Sequence, residues 1–302
     1  MEYIGDMGLR LVNDFVFLYV FGREETKNLL LDLVNAVLSD ADCPTIQSLE
    51  LKNPVHLRES FRGKETVLDL RAVADDNRQF DVEMQVTRHP AFVNRSLYYW
   101  SQLYSGQLER GQSYVVLRPA ICINLLDFVL FPETQENHHR FMISDVKNHE
   151  RVLTEDLQIH YIELTKASAR ETRLKHWVEL LENAGKEGAD MDMVLSRSNL
   201  LKRAYEEFER CTQVDYIREL ALSRERFQRD LATDLDYAQR EGLAKGLEQG
   251  LEQGLEQGIK QGMEQGLEKA RLEDARRFKG LGVPVATISK ATGLSEEIVE
   301  AL

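Results

Sequence analysis

Val67-Leu-Asp69-Leu-Arg-Ala-Val-Ala74, then Asp75-Asp-Asn77, then Arg78-Gln-Phe-Asp-Val-Glu83-Met-Gln85-Val86 run on without interruption. The two outer segments alternate apolar and polar residues with period two, as strands with one buried face do. The middle segment holds three turn-forming residues, and together they predict a β-hairpin. On its second strand Phe80, Val82, Met84 and Val86 share one face, and Asp81, Glu83 and Gln85 share the other. A three-residue loop centred on Asp76 pairs residues equidistant from it, so Asp69 stands opposite Glu83. Directly opposed residues have Cβ atoms roughly 5 Å apart, where like charges destabilise a sheet. Two carboxylates so held suit a shared divalent cation, as hard oxygen ligands. An exposed sheet face studded with acids is the alternative, and the spacing leaves both open.

Working outward, Leu29, Leu30, Leu31, Leu33, Val34, Val37 and Leu38 recur on one helical face before the hairpin. After it, residues 90–110 return to helical spacing. Val93, Leu97, Trp100, Tyr104 and Leu108 form the expected inward stripe, closed by Gly111. That stripe puts Arg95, Tyr99 and Gln102 on the opposite face, where substrate contact and solvated surface are both open. Residues 120–128 and 159–164 read as further strands. Helix, strands, helix and strand define an α/β fold, a mixed sheet flanked by helices, over residues 1–165. Residues 166–240 show no strand signal and many charges at helical spacing, which predicts a helical region covering or extending the core.

Residues 241–268 contain an internal repeat, with glycine at 242, 246, 250, 254, 258, 262 and 266. Each glycine is followed by Leu, Ile or Met. Collagen is excluded, because its glycines fall every third residue. In a helix each repeat advances about 400°, so the apolar stripe drifts by about 40° per step. A period longer than 3.6 favours right-handed winding if such helices pair. Each interior glycine costs roughly 1 kcal/mol relative to alanine. The segment is therefore either a partly frayed linker or an oligomerisation stalk. Residues 269–302 read as a small helix-turn-helix-like tail, with two short helices meeting at Gly293 and Ser295 capping the second. Glu296, Glu297 and Glu300 on that second helix repel phosphate, so the tail is expected to pack rather than read bases.

Composition limits the partners. A net charge of −13 disfavours wrapping nucleic acid, so such a substrate has to meet local basic patches or arrive with a partner. Cys43, Cys122 and Cys211 lie far apart with no CxxC pair, which argues against a zinc site or a disulfide framework. The N-terminal residues have no basic flank and no apolar run, unlike a signal peptide. The greasiest stretch, residues 120–131, is broken by Asn124 and Asp127 and is too short to span a bilayer. A cytoplasmic protein without membrane contact is the expectation. There is no P-loop, no Gly-x-Ser-x-Gly elbow and no His-Glu-x-x-His. His138-His139 is assigned to a surface loop.

An Asp on one strand and Glu-x-Gln on the next, after an N-terminal helix, resembles the PD-(D/E)XK nuclease superfamily. It is closest to the Rpn branch of recombination-promoting nucleases, also labelled transposases. Asn13-Asp-Phe-Val-Phe17, Phe21-Gly22, Leu30-Leu-Asp-Leu-Val-Asn35, Leu68-Asp-Leu-Arg-Ala72, Phe80-Asp-Val-Glu-Met-Gln85 and Arg95-Ser-Leu-Tyr-Tyr-Trp100 carry the resemblance. It covers roughly residues 8–165. It implies a bacterial Mg²⁺-dependent (or other divalent-cation-dependent) DNA endonuclease, linked to recombination or mobile elements. Asp69, Glu83 and the backbone carbonyl of Met84 would hold the metal, with Gln85 completing the catalytic set. Gln85 stands where many superfamily members have lysine, and Leu18 stands where the Rpn branch often has lysine. Asp14 is either an accessory acid or a helix N-cap. Arg95 is the candidate phosphate contact, with Tyr99 and Gln102 as further accessory positions. The competing expectation is an inactive nuclease fold that displays an oligomerising tail.

Overall fold

The computed structural model describes residues 9–52, 69–168 and 170–302; Val67 and Leu68 of the expected first hairpin strand lie outside them. The chain divides into two compact units, residues 1–230 and 231–302.

The first unit is built on a six-stranded sheet of order β1-β2-β3-β4-β6-β5. The strands are β1 (Leu49–Leu51), β2 (Leu70–Ala74), β3 (Gln79–Gln85), β4 (Ala120–Leu126), β5 (His138–Ser144) and β6 (Val152–Glu163). β3 pairs parallel with β4, and β4 with β6; the other pairs are antiparallel. The β2–β3 hairpin turns through Asn77 in the left-handed region, at φ 67°. Its register, Leu70↔Val82 and Ala72↔Phe80, is the one a loop centred on Asp76 imposes. A parallel β3–β4 pair needs a crossover, and α3 (Phe92–Ser105) supplies it. All seven residues of β4 are buried, which explains their nearly unbroken apolar run in a strand covered on both faces.

The two sheet faces bury different things. Phe80, Val82 and Met84 of β3 join Ile121, Ile123 and Leu125 of β4 in the larger core. Helices α1 (Asp14–Phe21), α2 (Lys27–Asp40), α4 (Arg173–Asn183) and α6 (Asn199–Thr212) contribute to the same core through Phe17, Val37, Trp177 and Phe208. The buried Trp177 indole donates to Asp32 at 2.9 Å, and Arg173 closes an ion pair with the same carboxylate. The core therefore continues past residue 165. Gly185 lets the chain after α4 approach the start of the described sequence. Its φ is +90°, and a Cβ there would fall 2.1 Å from the Leu9 carbonyl oxygen. The opposite face carries a smaller core of Phe92, Cys122, Leu126, Leu157, Ile159 and Tyr161 beneath α3.

Several expectations need correction. The inward face of α3 is Phe92 and Ser96, with Tyr99, Trp100 and Leu103 half-buried, whereas Val93 and Leu97 are exposed. Specific polar contacts fix this rotation. The Ser96 hydroxyl bonds the Tyr161 hydroxyl, and the Trp100 indole donates to the Ala120 carbonyl at 2.9 Å. Phe92 packs edge-on against Phe128 and Tyr161, each at 5.9 Å between centroids. The N-cap of α1 is Asn13, whose Oδ1 accepts from the Phe15 and Val16 amides; Asp14 is the first helical residue. His138 and His139 lie on β5 rather than in a surface loop. His138 is held between the Asp40 carboxylate at 2.7 Å and His160 at 2.9 Å. β1 alternates buried, exposed and buried, but at three residues it is too short to stand out as a strand in the sequence.

Among the described residues, helix α7 (Asp215–Gly280) contributes Ile217 and Ala221, near its start, to the larger core. In the second unit its end packs with α8 (Val285–Thr292) and α9 (Glu296–Ala301) around Ala275, Ile288 and Val299. Gly293 closes α8 at φ 73°, and the Ser295 side chain accepts from the Ile298 amide at 3.3 Å, the arrangement read from the sequence. Among the described residues, no helix is long and apolar enough to cross a membrane.

Candidate active site

Because Phe80, Val82 and Met84 are committed to the larger core, the intervening residues of β3 must face α3. Parallel pairing sets Asp81 beside Cys122, Glu83 beside Asn124 and Gln85 beside Leu126. Asp69 immediately precedes β2, and one further step of the hairpin register brings it opposite Glu83. Asp69 and Asp81 are 5% and 4% exposed, so three carboxyl groups, with the half-buried Glu83, stand in one row withdrawn from water.

Asp69 and Glu83 each have polar partners. Arg71 Nε donates to Asp69 Oδ2 at 2.9 Å. Asp81 stands on the adjacent strand, near enough to Asp69 for the two carboxyl groups to repel each other. The Gln85 amide donates to Glu83 Oε1, and Arg95 Nη2 reaches the same oxygen at 3.3 Å. The Arg95 guanidinium lies over the rings of Phe92 and Tyr99, at 5.4 and 5.9 Å from their centroids. The rotation of α3 is what carries Arg95 and Tyr99 to the sheet rather than away from it.

Burial dominates the electrostatics. It pushes the Glu83 carboxyl up to about 7; Asp69 adds to the rise, and Arg95 and the Gln85 amide oppose it. Asp81 is held well above the usual carboxylate range, by burial first and then by the charge of Asp69. The same acids, added to burial, raise the Cys122 thiol well above its ordinary value, which leaves it an inert apolar neighbour.

Of the residues singled out in the sequence, Asp69, Glu83, Gln85, Arg95 and Tyr99 come together. Gln102 does not join them: it is exposed on α3 and donates to the Tyr98 hydroxyl at 2.6 Å. Asp14 is buried at the start of α1, where its carboxylate accepts from the Phe15 amide at 2.9 Å. The Met84 side chain belongs to the larger core, while its backbone lies between Glu83 and Gln85. Asp81 shares the face of Glu83 on the second strand, and its spacing of two from Glu83 is the sequence signal for its place in the row.

The donor chemistry fits a hard divalent cation, which prefers carboxylate and carbonyl oxygens. Asp81 Oδ1 is buried and has no hydrogen-bond partner among the described residues, an orphan acceptor within the acid row. Among the described residues, no three His, Cys, Asp or Glu side chains converge closely enough to hold a metal by themselves. A cation here has to draw on backbone or water oxygens as well.

A mixed sheet flanked by helices, with Asp, then Glu-x-Gln, on a central hairpin, is the architecture of a PD-(D/E)XK nuclease-like protein. The family profile of the PD-(D/E)XK nuclease family transposases matches residues 11–238, and the chain belongs to that family. No curated protein and no solved structure gives a significant match.

The acid row has a measurable consequence. Both Asp81 and Glu83 titrate higher in the folded protein than in the unfolded chain. Their contribution to stability is complete below the unfolded carboxylate range and is lost as pH rises through the folded values. Urea denaturation in the presence of a chelator should show Asp81→Asn stabilising the protein more at about pH 8 than at about pH 5. A larger gain at the lower pH contradicts this.

Proposed function

We propose that the chain is a Mg²⁺- or other divalent-cation-dependent DNA endonuclease that hydrolyses phosphodiester bonds in recombination or mobile-element processes, acting in the cytoplasm. The observation that carries this reading is the buried row of Asp69, Asp81 and Glu83 with Gln85 and Arg95 beside it, on a fold of a nuclease family. Asp69, Glu83 and the Met84 backbone carbonyl are the residues to hold the cation. When bound, the cation supplies Lewis-acid stabilisation of phosphate charge and lowers the pKa of a coordinated water.

The chain's own groups do the rest. The strands fix Asp69 and Glu83 against rigid backbone, so the ligand oxygens need little reorganisation. Gln85 orients Glu83 through its amide and can align a water or a phosphate oxygen, but it brings no positive charge. Arg95 compensates: its guanidinium already lies against Glu83 and is partly exposed, so it can turn two of its donors toward a phosphate. It supplies from the neighbouring helix the charge that a lysine supplies elsewhere in the superfamily.

The repeat in α7 supports a second element of the reading, self-association. Leu243, Leu247, Leu251, Leu255, Ile259, Met263 and Leu267 are all exposed. A Cβ added at any of the seven repeat glycines meets nothing within 4 Å, so no contact inside the chain calls for glycine there. Each glycine costs roughly 1 kcal/mol of helix stability, which is offset if a second copy of the helix packs closely on the small-residue track. The alternative of an interaction protein without catalysis keeps this oligomer and loses cleavage.

Supercoiled-plasmid nicking by the purified protein, with and without Mg²⁺ or Mn²⁺, tests the activity. Asp69→Ala and Glu83→Ala should each abolish cleavage with the circular dichroism spectrum unchanged. Arg95→Ala should lower the single-turnover rate by about 10²–10³-fold, the scale for losing one transition-state charge contact. Equal cleavage by wild type and both acid variants would assign it to a contaminant or another site.

Multi-angle light scattering tests the stalk. The full chain is expected to have a multiple of the monomer mass, and a chain ending at Arg240 is expected to be smaller in assembly and still folded. Equal assembly states would make the repeat a tether.

A further inference from the structure

The face of the sheet that carries the acid row continues into a different environment. Asp69, Arg71 and Val73 on the β2 side, and Glu83, Asp81 and Gln79 on β3, follow one another along this face. Where the acids end, a cavity of about 600 Å³ opens between the hairpin, the segment after β1 and the C-terminal end of α3. Its lining includes Lys52, Arg71 and Arg118, and no Asp or Glu among the described residues. In a chain of net charge −13 this is a local reversal of sign. The remaining polar lining is mainly carboxamide, notably Gln102 and Gln107.

The cations are arranged rather than scattered. Arg71 belongs to both places, since it lines the cavity and donates to Asp69. Arg118 is held at its backbone by Gln107, which donates to its carbonyl and accepts from its amide, each at 2.9 Å. Its guanidinium donates to the Val115 and Leu117 carbonyls at 3.0 and 2.9 Å, which keeps the side chain over the cavity. Among the described residues Lys52 pairs with the exposed Glu50 at 3.2 Å, an ion pair of the kind that contributes little and exchanges readily.

We propose that this cavity is the strand-binding subsite of the nuclease, where the phosphates flanking the scissile one sit on Lys52 and Arg118. The inference rests on the nuclease reading and adds to it the route of the DNA strand. Phosphate contacts position a nucleic acid and supply most of its nonspecific affinity. An acid row alone repels a polyanion, so the strand needs an anchor beside it, and Arg71 sits where anchor and acids meet.

The test is fluorescence anisotropy of a labelled oligonucleotide with the full-length protein in a chelating buffer, which prevents cleavage, over a range of salt concentrations. Lys52→Gln with Arg118→Gln is expected to weaken binding at least about 10-fold at low salt. The slope of log affinity against log salt should fall by roughly 2, one for each lost phosphate contact. Lys147→Gln with Arg151→Gln, a charge-matched pair near the β5–β6 turn, is expected to leave both unchanged. If wild type binds and nicks DNA and the Lys52/Arg118 variant binds equally well, the subsite is overturned while the nuclease reading stands. Equal losses in both double variants make the effect one of net charge and also overturn it. Failure of wild type to bind or cleave DNA removes the nuclease reading and the subsite together.

Discussion

The pairing register of the β2–β3 hairpin governs the rest of this molecule. Side chains alternate strictly along a strand, so a slip of one residue would exchange the two faces entirely. The turn at Asp75, Asp76 and Asn77, with Asn77 in the left-handed region, fixes where the strands meet. Phe80, Val82 and Met84 then enter the larger core with the apolar residues of β4. Once they do, Asp81, Glu83 and Gln85 have no choice of side. They fall under α3, next to Asp69 and among residues that exclude water. The burial that makes the sheet stable is the same burial that concentrates three carboxyl groups.

That concentration has an electrostatic cost, which the surrounding residues meet in part. Arg71 and Arg95 each take one acid, and Gln85 donates to Glu83. These contacts leave the row only partly neutralised, since Glu83 still titrates near 7. A structural ion network would be expected to close every acceptor, yet Asp81 Oδ1 stays unpartnered among the described residues. Perturbed, clustered acids on rigid elements are the usual mark of a functional site. Elsewhere in the fold a buried acid is closed off: Glu163 accepts from the Leu130 and Phe131 amides and pairs with Lys166.

What the sequence disclosed followed from periodicity and turn chemistry. The hairpin was legible because two alternating runs flank three turn formers, and β4 because a doubly covered strand is apolar throughout. Asp69 and Glu83 were legible as a pair once the loop was centred. The rotation of α3 was not, because Ser96, Tyr161 and Trp100 decide it through contacts between residues far apart in sequence. The apolar count favoured Val93 and Leu97, which are exposed. His138 resembled a loop residue because its partners, Asp40 and His160, are distant in the chain. That residues 166–240 cover or extend the core was legible from their helical spacing, but which residues of α4 and α6 enter it was not. Their charges mark the solvent face, and only packing shows what Trp177 and Phe208 are buried against. Asp14 was displaced as a cap by Asn13, a neighbour with the same capping chemistry.

Calorimetric titration of the metal-free protein with Mn²⁺ near neutral pH, in two buffers of different ionisation enthalpy, addresses the acid row most directly. A cation bound there displaces protons held by Asp81 and Glu83, so the apparent heat should depend on the buffer in the sense of proton release. Binding should be lost in Asp69→Ala. Saturable binding that releases protons in wild type and vanishes in that variant is the predicted result. No binding, or binding unchanged by Asp69→Ala, would contradict the assignment of this row as the metal-holding centre.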